Sequence, residues 1–243
     1  MEQWFNKGED GFVTFGWEHI FSLSVIFVVV LFMYILRSYI REISYIKKLL
    51  FISLLLSEVS YQCWAIYNEM WTIKLYLPLQ LCSFNIFLSA VLLVTENKKL
   101  FAFVYLFGFT GALQGLLTPE LHQQAWHFRF IQFFIAHGLI VWTAMYFAIV
   151  RSFRISWLRF LQSFLCLNLY AAGVYAINVL LDTNYMFLMR KPGNASIMDY
   201  LGPYPWYILG LELVAFCMCL IAFLPVKEKS YHSMKKDHPP IDA

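Results

Sequence analysis

The stretch "YLPLQLCSFNIFLSAVLLV", residues 76–94, decides the fold. It is apolar enough for a transmembrane helix, which needs ~20 mostly apolar residues. Yet its first turns carry Pro78, Gln80, Cys82, Ser83 and Asn85. Polar groups in lipid are costly and are expected to face protein or a water-filled cavity. A span written this way asks for neighbouring spans, and six others flank it, at 18–36, 49–67, 99–117, 129–150, 157–181 and 205–224.

Composition agrees. The chain of 243 residues is 60% hydrophobic and only 14% charged, with a mean hydropathy of +0.62, whereas a soluble domain is ~25% charged. The expected fold is an all-α bundle of seven transmembrane helices over residues 1–226, followed by a polar tail, "KEKSYHSMKKDHPPIDA" at 227–243. The first span is not a cleavable signal: Glu9, Asp10 and Glu18 stand where a basic leader would be,. With alternating spans, thirteen of the 18 Lys and Arg residues fall on one side of the membrane and five on the other. The positive-inside rule then predicts the N-terminus outside and the C-terminus in the cytoplasm of a cell-membrane protein.

Other classes fall away. A net charge of +3 with no basic, aromatic-interleaved patch gives no reason to expect nucleic acid,. The five cysteines lie inside apolar runs, without spacing for structural zinc or a secreted disulfide framework,. Neither a metal nor a cofactor is called for. The last span holds no lysine for a retinal Schiff base. The loop at 182–204 reads as a structured cap, with "NAS" at 194–196 as a sequon. Gly111 and Gly115 in "GFTGALQG" have the four-residue spacing that lets helices approach closely,.

The candidate site comes from depth. At ~1.5 Å rise per residue, Glu58 lies ~13 Å below the outer end of its span, Cys82 ~9 Å, His137 ~12 Å and Glu212 ~10 Å. Four helices thus place an ionisable group at one level of the outer half. On span three Pro78, Cys82, Asn85 and Ser89 share a stripe. On span five Arg129, Gln132 or Phe133, and Ala136 or His137 share another, and on span six Asn168, Tyr175 and Asn178 do so,. These faces predict an outward-opening polar cavity lined by Asn85, Glu58, Glu212, Gln132 and Asn178. Cys82 suits a nucleophile and His137 its general base, with Pro78 near a helix start whose dipole favours thiolate and Asn85 as a donor to an oxyanion. Cysteine also commonly only packs, and the same Glu and His residues would serve a proton- or ion-coupled transporter. No inverted repeat or broken helix pair supports the transporter.

The combination "FGWEHI" (15–20), "LPLQLCS" (77–83) and "IQFFIAHG" (131–138) resembles the YwaF-like integral membrane family. The resemblance covers essentially the whole chain. The family's animal relatives include a cysteine-dependent acyltransferase that builds ether phospholipids, and it is remotely similar to androgen-induced membrane hydrolases. It implies acyl transfer through a thioester on Cys82 with His137 as base. Because acyl-CoA is cytosolic and the expected cavity opens outward, a membrane phospholipid is the expected acyl donor, making the lipid bilayer the principal partner.

Overall fold

A computed structural model describes residues 2–5, 11–192 and 197–228. The "NAS" sequon and nearly all of the polar tail lie outside the described residues.

Among those residues there are helices and turns but no strand. A short α1 (Glu2–Phe5) precedes α2 (Trp17–Ile35), a one-turn extension α3 (Arg37–Glu42) and α4 (Tyr45–Tyr67). Then come α5 (Leu81–Thr95), α6 (Lys98–Leu117), α7 (Phe128–Val150), α8 (Trp157–Leu181) and α9 (Trp206–Val226). Six of these are long and apolar enough to cross a membrane, and α5, at 15 residues, is the shorter seventh apolar helix. The end of the bundle carrying Tyr67, Leu81, Leu117 and Phe128 is called the upper end below.

The caps explain several boundaries. Asn97 Oδ1 accepts from the backbone N–H groups of Lys99 and Leu100 and opens α6. His127 Nδ1 accepts from Arg129 N–H and opens α7, and Ser156 does the same for α8,. Both α6 and α7 contain π-helical segments, Val104–Phe109 and Tyr146–Val150. These insert a residue into the helical ladder and shift the side-chain register.

The helices are not equivalent. In α7 78% of the span is buried inside the protein and in α6 61%, whereas in α2 and α9 only 17% is. So α6 and α7 form the centre, with α4 and α5 packed on them and α2, α8 and α9 outside. This ordering follows composition: α6 carries Gly108, Gly111 and Gly115 on one face, and those gaps admit neighbours,. At the lower end, Glu96 accepts from Lys47 (2.5 Å) and Arg151 (2.6 Å), tying α4, α5 and α7 together. The Ile155 backbone pairs with Val226 and Glu228, tying the start of α8 to the end of α9.

The third span is where the structure departs from the sequence reading. The helix begins at Leu81 rather than Tyr76, and Pro78 lies outside it. The residue before a proline is disfavoured in helix, and distant groups hold the turn region open. Tyr185 Oη donates to Ile73 O (2.6 Å) and accepts from Leu77 N–H (3.0 Å). Tyr170 Oη donates to Leu79 O (3.0 Å), and Gln80 Oε1 accepts from Met186 N–H (3.0 Å). Irregular backbone at membrane depth survives only when protein or enclosed water satisfies it, and here two tyrosines and a glutamine do so.

Candidate functional site

The late start of α5 puts Cys82 at the second residue of the helix. No side chain caps this end. The first intrahelical bond is Phe84 N–H to Gln80 O, so the N–H groups of Leu81, Cys82 and Ser83 have no acceptor among the described residues,. Cys82 therefore lies in the first turn, at the positive end of the helix dipole,. Pro78 drops out of the expected stripe, leaving Cys82, Asn85 and Ser89.

At 100° per residue, Cys82 points between two neighbours whose contacts are known. Ser83 lies near Glu58 of α4. Asn85 lies over Gly108 of α6, where a Cβ would come within 2.8 Å of its Oδ1 and 3.3 Å of Ile140 on α7. α5 also packs on α7, the helix that carries His137. Leu81, beside Cys82, lies over Gly111, and His137 Nε2 lies over Gly115, where a Cβ would be 3.0 Å away. Leu81 and His137 thus approach one glycine face of α6, about one helical turn apart. No hydrogen bond joins Cys82 to His137.

The state of His137 follows from its bonds. Nδ1 is 2.9 Å from Phe133 O. A carbonyl oxygen only accepts, so Nδ1 carries the proton. In the neutral ring Nε2 is then the basic nitrogen, and it has no hydrogen-bond partner among the described residues. His19 is the opposite case. Its Nδ1 accepts from Phe15 N–H (2.9 Å) and its Nε2 donates to Leu116 O (2.7 Å). His19 is thus a buried clamp between α2 and α6.

The other expected residues divide. Glu58 is buried and accepts from Gln62 (2.8 Å). Gln132 is buried, donates to Ser57 O (3.2 Å) and accepts from Arg129. These two, with Cys82, Asn85 and His137, are the polar residues that α4, α5 and α7 carry at this end, a polar layer in which the Gln132–Ser57 bond joins α7 to α4. Asn85 donates its amide to Leu81 O (2.8 Å) and leaves its oxygen unpartnered, as do the hydroxyls of Ser89 and Thr143. Its donor is thus already engaged within its own helix. Glu212 is half-buried on the periphery and accepts from Asn168 (2.8 Å), joining α8 to α9. Asn178 is fully buried, with Oδ1 accepting from Thr183 and Tyr185 and Nδ2 donating to Tyr185 O, so it holds the 182–192 loop. Neither Glu212 nor Asn178 contacts the polar layer.

Sequence reading assigned no role to Tyr170 and Tyr185, which set where α5 begins. A tyrosine near a proline-containing turn is too common to stand out. Gly115 did stand out, as a packing residue, and packing is what it does: it seats the imidazole.

A sequence profile of one membrane-protein family spans nearly this whole arrangement, from residue 14, just before α2, to residue 223, at the end of α9's α-helical part. The chain belongs to the TMEM164 family. The match includes all seven apolar helices and both Cys82 and His137, so the polar layer lies wholly within TMEM164 family territory. No curated protein and no solved structure matches the chain. It is an integral membrane protein by its family and by its apolar helices.

Proposed function

We propose that this protein is a lipid acyltransferase or transacylase of the cell membrane, with lipid hydrolysis as the variant in which water is the acceptor. One observation carries the reading: His137 commits Nδ1 to a carbonyl and keeps Nε2 unpartnered, on a helix that packs against α5, which carries Cys82. The resemblance of "LPLQLCS" and "IQFFIAHG" to the YwaF-like family and its cysteine-dependent relatives supports the same pair.

Nε2 takes the Cys82 proton as sulfur attacks an ester carbonyl of the donor lipid. The oxyanion that forms is met by the unpaired N–H groups at the start of α5, in the role first expected of Asn85. As the tetrahedral species collapses, the C–O bond breaks, the imidazolium protonates the departing alcohol, and a thioester remains on Cys82. An acceptor alcohol then gives its proton to Nε2, attacks the thioester and releases the thiolate, which recovers the proton from the imidazolium. Gln132 holds α7 against α4 beside the pair. A phospholipid serves as donor because it reaches the site from the bilayer itself.

The test is transfer of a labelled acyl chain from phosphatidylcholine in membranes containing wild type, Cys82→Ala or His137→Ala. Wild type is expected to form a hydroxylamine-sensitive acyl adduct, and Cys82→Ala none. Adduct formation that survives removal of Cys82 would sink the nucleophile assignment, and use of acyl-CoA with no use of phospholipid would sink the donor.

A further inference from the structure

Arg129 is the second residue of α7, and nothing in helix energetics explains a cation there. The macrodipole opposes positive charge in the first turn. A long basic side chain at the end of a span ordinarily snorkels out to water. Arg129 instead folds back into the bundle. One guanidinium nitrogen donates to Gln132 Oε1, and the guanidinium carbon lies 4.3 Å from the Tyr61 ring centre and 5.5 Å from that of Phe133.

These contacts build a column. The Phe133 ring in turn lies over the His137 ring, with centres 4.1 Å apart. Arg129, Phe133 and His137 are four residues apart in succession, so they stack along one face of α7. Adding the two centre distances bounds the guanidinium at about 9.6 Å from the imidazole. The charge is not consumed within the protein. Glu58 feels it electrostatically, but that carboxylate already accepts from Gln62, and Arg129 makes no ion pair among the described residues. Of the guanidinium's five N–H donors, one has an acceptor among the described residues.

We propose that Arg129 is a phosphate-binding residue that holds the phosphodiester of a glycerophospholipid at the top of the column and sets its ester groups at the level of Cys82 and His137. This rests on the acyl-transfer reading for what happens below, but not for the binding itself. Guanidinium matches phosphate geometry through paired N–H donors. The bound of about 9.6 Å is of the order of the span from a lipid phosphate to its acyl esters. Neutral lipids lack the group that Arg129 grips, so the residue selects phospholipid over acylglycerol.

The experiment uses the full-length protein in mixed micelles, comparing wild type, Arg129→Gln, Arg129→Lys and Cys82→Ala. A fluorescent phosphatidylcholine, a fluorescent diacylglycerol and inorganic phosphate as competitor are the probes. Loss of a charge-assisted contact, at 1.5–3 kcal/mol, corresponds to about 10–100-fold weaker phosphatidylcholine binding in Arg129→Gln. Arg129→Lys is expected to recover part of it, Cys82→Ala to bind like wild type, and diacylglycerol to bind all four alike. Displacement by inorganic phosphate at matched concentration would reassign the site to the free anion, and resistance to it assigns the lipid headgroup. Unchanged phosphatidylcholine binding in Arg129→Gln, or equal loss for both lipids, overturns the proposal. If binding follows this pattern while no acyl adduct forms on Cys82, the phosphate site stands and the acyl-transfer reading fails.

Discussion

His19 and His137 are both buried, and both sit against α6. The α2–α6 joint around His19 uses both ring nitrogens, one accepting from Phe15 and one donating to Leu116. The α5–α7 layer around His137 uses one, and faces the other toward a glycine. Burial is therefore not the signal of chemistry. A polar group that has spent its hydrogen-bonding capacity holds the structure together, and one with capacity left over can act on something else.

The strongest way to break that contrast is to exchange the consequences of the two residues. His137→Ala and Cys82→Ala are each expected to lower acyl transfer by roughly 10²–10⁴-fold, the range for removing a general base or more, with little change in thermal unfolding. Should His19→Ala abolish transfer to the same extent in folded protein, the division between clamp and base collapses. Gly115→Ala comes next. Its new methyl would stand 3.0 Å from Nε2 and 3.1 Å from Cδ2 of His137, so the ring must move. Transfer is expected to fall by at least tenfold while stability drops by about 1–3 kcal/mol. An active Gly115→Ala would mean that Nε2 does not need its seat.

His19→Ala is expected to show itself in stability instead. It strands the buried carbonyl of Leu116 and the part-buried N–H of Phe15, costing about 1–3 kcal/mol in detergent unfolding, with the adduct on Cys82 still forming. The smallest effect sharpens the picture at the lower end. Hydrogen bonding from Lys47, with Arg151 beside it, holds the Glu96 carboxyl below its ordinary value of 4.5. A depressed folded-state value means that this contribution is complete above about pH 4.5 and is lost as pH falls through the folded value. Wild type is expected to lose stability on acidification through that window, by about 1 kcal/mol or less for a partly exposed network. Glu96→Gln is expected to lack this component, and an identical acid profile in the two proteins would remove Glu96 from the account.

Much of this was legible along the chain. Apolar length alone marks the helices, because a span must satisfy its own backbone over the width of the bilayer. The boundaries of α2, α7 and α8 fall within two residues of the sequence reading. Cys82, His137, Glu58, Asn85 and Gln132 were also legible as inward-facing, since a polar residue in an apolar helix has few other places to go. Glu212 shows the limit of depth as a guide. It lies near the level of the others, but level says nothing about azimuth across helices, and α9 turns it to Asn168 at the periphery. Asn178 shows another limit: its stripe is polar, yet its amide belongs to the loop that follows it.

By itself the sequence determined a membrane-embedded helical bundle, the rough extent of its spans and the residues that cannot face lipid, because hydrophobic length and the cost of burying polar groups are local properties. Tertiary structure alone decided where α5 begins, where the His137 ring sits and where the charge of Arg129 goes. Each of those depends on a partner far away in the chain: Tyr185 for the turn before α5, Gly115 for the seat of the imidazole, and Tyr61 for the guanidinium. Hydrogen bonds and stacking act over a few ångströms, and only the folded bundle brings such partners within that range.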